Sequence, residues 1–108
     1  MLYSLEQLLN AMDKLKKFEL MEKIARGLED VKHSQQAVLE KIAKIEIDNI
    51  ELGDKLIEKN IPEIYQRTAE NTDSITEILA SFQDKTEEFG NKSNIDKLRE
   101  QDEINKMK

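Results

Sequence analysis

From Met21 onward, apolar residues return in alternating steps of three and four. The series runs Met21, Ile24, Leu28, Val31, Gln35, Val38, Ile42, Ile45, Asn49, Leu52, Leu56, and nine of its eleven members are apolar. Steps of this kind keep one stripe of a helix facing a neighbour, so the pattern predicts a long helix in a coiled coil. Gln35 and Asn49 are the polar members. They either fix register and partner number at some cost in stability, or mark a wet, loosely packed stretch of the seam.

The same spacing extends upstream through Leu5, Leu8, Met12 and Leu15, with a slip in phase around Phe18. Leu2, Leu9, Phe18 and Leu20 widen the apolar face there. A weaker series runs downstream: Ile64, Thr68, Asn71, Ile75, Ile78, Phe82, Lys85, Phe89. Between residues 39 and 61 a second stripe runs off the main one, through Leu39, Ala43, Ile47, Ile50, Ile57 and Ile61.

Gly and Pro number only 3 and 1, so the breaks stand out. Ser4-Leu5-Glu6-Gln7 has the form of a capping box. Asn60-Ile61-Pro62-Glu63 offers a cap, a first-turn proline and a carboxylate that can reach back. Gly90 reads as a left-handed helix end, with Ser93 or Asn94 capping the next segment. The expected fold is all-α: a long antiparallel helical hairpin over residues 1–90, assembling into a helical bundle. Its helices are expected at about 4–59 and 61–89 with the turn near 60–62, and residues 91–108 form a tail or a short, weak helix. Gly27 is read as a soft point in a continuous helix, with a sharp turn there in a three-helix bundle as the alternative, and Gly53 as helix-internal, at about 1 kcal/mol against Ala.

Composition narrows the function. The chain has 108 residues, 37% of them charged and 5% aromatic, which suits long helices better than a compact globule. It has no Cys, so disulfides and thiolate metal sites are excluded. Its net charge of −6, with both signs interleaved, opposes direct nucleic-acid binding. No apolar run is long enough to span a membrane, and the N-terminus lacks the basic and apolar regions of a signal peptide. A cytoplasmic protein is expected, with export by a signal-less route left open. His33 is the one histidine. With Glu29 and Asp30 it makes a single carboxylate–histidine motif, where bundle metal sites need two and further carboxylates. There is no nucleophile–base pattern, phosphate loop or HExxH. No enzyme activity and no cofactor are expected.

Two mismatches point to assembly. A first helix of about 80 Å would outrun a second of about 40 Å, leaving residues 2–28 without an intramolecular partner. A helix with two apolar stripes also needs neighbours on both sides. The expectation is a non-enzymatic interaction module, a coiled-coil adaptor or chaperone-like subunit. It would form a homo-oligomer, in the first place a dimer, or join another helical protein. Leu5, Leu8, Met12, Leu15, Phe18 and Met21 are expected to meet the partner. Ile24, Leu28, Val31, Val38, Ile42, Ile45, Leu52, Leu56, Ile75, Ile78 and Phe82 are expected to form the oligomer or coiled-coil seam. The alternative is an acidic helical inhibitor, of the phage or mobile-element type, that blocks a basic nucleic-acid-binding surface of its target.

Overall fold

The computed structural model describes residues 4–107. It is all-α, with three helices: α1 (Leu5–Leu52), α2 (Lys55–Lys92) and α3 (Ile95–Lys106). No strand occurs among the described residues. The expected capping box forms: the Gln7 amide donates to Ser4 Oγ at 3.2 Å, and the Ser4 amide donates to Gln7 Oε1 at 2.9 Å. Leu2 lies outside the described residues. Gly27 stays inside α1.

The hairpin turns at Gly53–Asp54, not at Asn60–Pro62. Gly53 takes φ +71°, a left-handed conformation that glycine adopts without Cβ strain. Asn49 then closes the turn with both ends of its amide. Its Oδ1 accepts from the Asp54 amide at 2.9 Å, and its Nδ2 donates to the Asp54 carbonyl at 3.1 Å. Asp54 caps the new helix, its Oδ1 accepting from the Ile57 amide at 3.1 Å. Asn49, expected as a polar seam residue, is thus the fastening of a turn. Asn60 and Pro62 lie within α2, where the Asn60 side-chain amide donates back to the Leu56 carbonyl at 2.8 Å.

This correction changes the lengths. With 48, 38 and 12 residues, the helices measure about 72, 57 and 18 Å at a rise of ~1.5 Å per residue. The large mismatch expected from the sequence disappears.

The chain divides into two compact units, Gly27–Ala80 and Met1–Arg26 with Ser81–Lys108. In the Gly27–Ala80 unit, α1 and α2 run antiparallel from the turn. From α1, Leu28, Gln35, Leu39, Ile42 and Asn49 are buried or half-buried, and so from α2 are Ile57, Ile61, Thr68, Thr72, Ile75 and Leu79. The seam therefore mixes the two α1 stripes. It takes Leu28, Ile42 and the two polar members from the first, and Leu39 and Ala43 from the second. On α2, Thr72 and Leu79 replace the expected Asn71 and Ile78. The core is thin: only Ile42, Thr72 and Leu79 are buried. The Thr72 hydroxyl donates to the Thr68 carbonyl at 2.8 Å, so its burial leaves no unmet donor.

In the other unit, α3 completes a three-helix arrangement with the first half of α1 and the end of α2. Leu15 and Ile95 are its most buried apolar residues, and Thr86 is buried with its hydroxyl on the Phe82 carbonyl at 2.8 Å. The Phe18 and Phe89 rings stack 6.5 Å apart at 17°. Lys17 lies 4.8 Å from the Phe89 centroid and Arg99 lies 5.1 Å from that of Phe18, while Arg99 also pairs with Glu22. Gly90 is not a helix end. It sits inside α2 where a Cβ would come within 2.9 Å of Phe18 Cε2, so its role is close approach. The left-handed residue is Asn94, at φ 51° and ψ 50°, which lets the chain reverse into α3 without a side-chain cap.

The segment after residue 90 is thus a docked helix and not a loose tail. It supplies an intramolecular partner to the first half of α1, which was expected to lack one.

Candidate helix-docking face

The first group of expected contact residues divides by burial. Leu15 is 4% exposed and belongs to the core. Phe18 packs on Phe89, and Leu8 and Met12 line a small crevice with Leu98 and Asn105 of α3. Met21 is half-buried. Leu5 alone of the group is largely exposed, at 75%. The chain itself therefore occupies most of the surface assigned to a partner.

The second group divides differently. Leu28, Ile42, Ile75 and Phe82 turn inward, whereas Ile24, Val31, Val38, Ile45, Leu52, Leu56 and Ile78 are exposed. Within the Gly27–Ala80 unit the exposed set is regular. On α1 it recurs every seven residues as Val31, Val38 and Ile45, at 44%, 41% and 44% exposure. On α2 it recurs as Ile64, Asn71 and Ile78, with the two isoleucines at 43% and 55%.

Helix geometry places these two rows on one side of the hairpin. Each outward residue lies three positions after an inward one: Val31 after Leu28, Val38 after Gln35, Ile45 after Ile42, and on α2 Ile64 after Ile61, Asn71 after Thr68, Ile78 after Ile75. At about 100° per residue, three positions rotate the side chain about 60° short of a full turn. The two helices run in opposite directions, so equal offsets along each chain bring both rows to the same side. A cleft between the helices agrees with this, since Gln35 opens into it together with Thr68, Asn71 and Ser74. The face thus has aliphatic layers, Ile45 with Ile64 and Val31 with Ile78, around a central layer of Val38 and Asn71.

A seven-residue period is informative because a straight helix drifts out of it by about 20° per heptad. An exposed row at that period matches a neighbouring helix wound around the hairpin better than a flat surface. Charge borders the face. Glu63, Glu70 and Glu77 recur at sevens on α2, all exposed, and Lys41 and Lys44 stand on α1. Glu63 is partly occupied by an ion pair with Arg67 one turn on.

Among the described residues no group of three or more His, Cys, Asp or Glu side chains could hold a metal ion, and His33 is exposed. No helix among them is long and apolar enough to cross a membrane. The chain matches no protein-family model, no curated protein and no solved structure.

The sequence placed these outward residues in an oligomer or coiled-coil seam, together with residues that the chain's own helices cover. Two apolar stripes share α1, and periodicity alone cannot say which one the chain's own second helix will cover. The signal that decides it lies on α2: Leu79 continues the inward row of Thr72 and Thr86, whereas the outward row is broken by Asn71 between Ile64 and Ile78.

Proposed function

We propose that this chain is a non-enzymatic protein–protein interaction module, a coiled-coil adaptor or chaperone-like subunit that assembles through the outward face of its Gly27–Ala80 hairpin. The observation that carries this reading is the double row of half-exposed aliphatic side chains at heptad spacing, on a hairpin with only three buried residues of its own. Its first occupant is a second copy, giving a four-helix bundle. Another helical protein with the same spacing fits the same face.

Magnitudes support an association of moderate strength. Complete burial of a Val or Ile is worth about 1.5–3 kcal/mol, so covering what remains exposed on five such residues of each of two copies yields on the order of 10 kcal/mol. Association itself costs about 4–15 kcal/mol, so contacts along the Glu and Lys borders must contribute as well. Weak, concentration-dependent assembly is the expected behaviour.

Sedimentation velocity over a hundredfold range of concentration tests this. The native chain should gain mass with concentration. Val38→Asp with Ile45→Asp should stay monomeric at every concentration and keep its helical circular dichroism, because neither residue is buried. A native chain that remains monomeric throughout, and a double variant that associates as the native chain does, both defeat the homo-oligomeric reading.

A further inference from the structure

The hairpin tip combines a firm turn with unusual display of apolar surface. Five hydrogen bonds hold the turn: the Gly53 amide on the Asn49 carbonyl at 2.7 Å, the Asn49–Asp54 pair, the Asp54 cap on Ile57, and the Glu58 amide on the Asp54 carbonyl at 3.0 Å. Yet Ile47, Ile50, Leu52 and Leu56 are 65%, 83%, 74% and 72% exposed. Beside them lies an open cavity of about 290 Å³, walled by Ile50, Ile57 and Pro62 with Glu46 and Glu58. Glu46 is half-buried at its wall. From Glu46 to Lys59 the chain carries five carboxylates and two lysines, and Lys55 is engaged with Glu58 at 3.2 Å.

A carboxylate at the wall of an aliphatic cavity suits a cationic head group, which it meets with a charge-assisted hydrogen bond. Aliphatic walls around it suit the alkyl stem of a long basic side chain. The surplus of negative charge around the exposed leucines and isoleucines extends the same complementarity outward. We propose that this tip is a docking site for a basic–apolar protein segment. The segment's Lys or Arg head group meets Glu46, the stem lies along Ile57 and Pro62, and neighbouring aliphatic side chains cover Ile50, Leu52 and Leu56. The site deepens the interaction-module reading and rests on it; it lies at the tip end of the heptad face, where Leu52 follows Ile45 and Ile57 precedes Ile64 by seven residues.

The test uses the full chain, isotope-labelled, with three short peptides: lysine alternating with leucine, lysine with serine, and glutamate with leucine. The lysine–leucine peptide should shift the amides of Gly53, Asp54 and Ile57, and its effect should weaken at least tenfold in Glu46→Gln and in Ile50→Ser with Leu56→Ser. These residues are exposed or line an open cavity, so both variants should keep the native melting temperature. The other two peptides should leave those amides unmoved. An equal response to lysine–serine reduces the effect to general charge attraction and overturns the proposal. So does a lysine–leucine response confined to residues 31–45, or undiminished binding to Glu46→Gln. Tip shifts produced by protein concentration alone would give the site to a second copy and also overturn it. The heptad reading is judged separately, by the mass of the Val38→Asp, Ile45→Asp variant.

Discussion

Three glycines in this chain do three different jobs, and the difference is measurable. Gly90 is small because Phe18 lies over it: a Cβ there would stand 2.9 Å from the ring edge. Gly27 has nothing within 4 Å of the same position and lies in mid-helix. Gly53 has equal space around it, but its φ of +71° strains any other residue. Gly27→Ala should therefore stabilise the fold by about 1 kcal/mol, because alanine removes backbone freedom from the unfolded chain at no steric cost. Gly90→Ala should destabilise it by about 1–3 kcal/mol, as overpacking displaces the Phe18–Phe89 stack and the Arg99 contact with it. Thermal unfolding of the two variants should move in opposite directions. A Gly90→Ala chain as stable as Gly27→Ala would mean that Phe18 does not hold its place.

At the scale of the element, the turn and the proline invite a paired experiment. Asn49 holds Asp54 by both ends of its side-chain amide, so Asn49→Ala should cost about 1–2 kcal/mol through the lost bonds and the opened turn. Pro62 lies well inside α2, where it lacks a helix-closing amide and crowds the preceding turn, so Pro62→Ala should raise stability. Urea denaturation distinguishes these from the opposite result, which would arise if Asn60–Pro62 were the turn. The same pair shows what could be read from residues alone. The heptad spacing revealed the helices and their hairpin, and the Ser4–Gln7 capping box formed as its residues imply. The turn was misplaced because proline is the stronger punctuator in isolation, whereas Gly53-Asp54 requires Asn49, one helical turn back, to become a closed turn. The docking of α3 was hidden for a related reason. Its anchors, Ile95 and Leu98, are too few to show a period, and only the proximity of Leu8 and Met12 reveals what they cover. Of the candidate site, the outward residues could be named beforehand but their side of the helix could not.

At the scale of the whole molecule, the division into two units makes α3 the element to remove. Its loss should affect only the unit it belongs to. Ending the chain after Ser93 takes away Ile95, which is 3% exposed, together with the Arg99 bond to Glu22 and the arginine over Phe18. Leu8 and Met12 would then lose a covering helix, and an apolar strip on one helix is a site for non-specific association. Amide exchange should accelerate through residues 5–26 and 81–93, since protection falls where buried apolar contacts are few. Residues 27–80 should keep their native rates, because no residue of α3 belongs to their unit. If protection fell equally along all of α1, the helix would unfold as a single cooperative rod. The hairpin could not then be treated as an independent platform, and a partner bound to its outward face would stabilise α3 as well. Equal retention everywhere would instead make α3 a passenger whose contacts add nothing. Between these outcomes, selective loss near the N-terminus is the one that the thin core predicts. Each unit has few buried side chains, so neither has stability to lend the other.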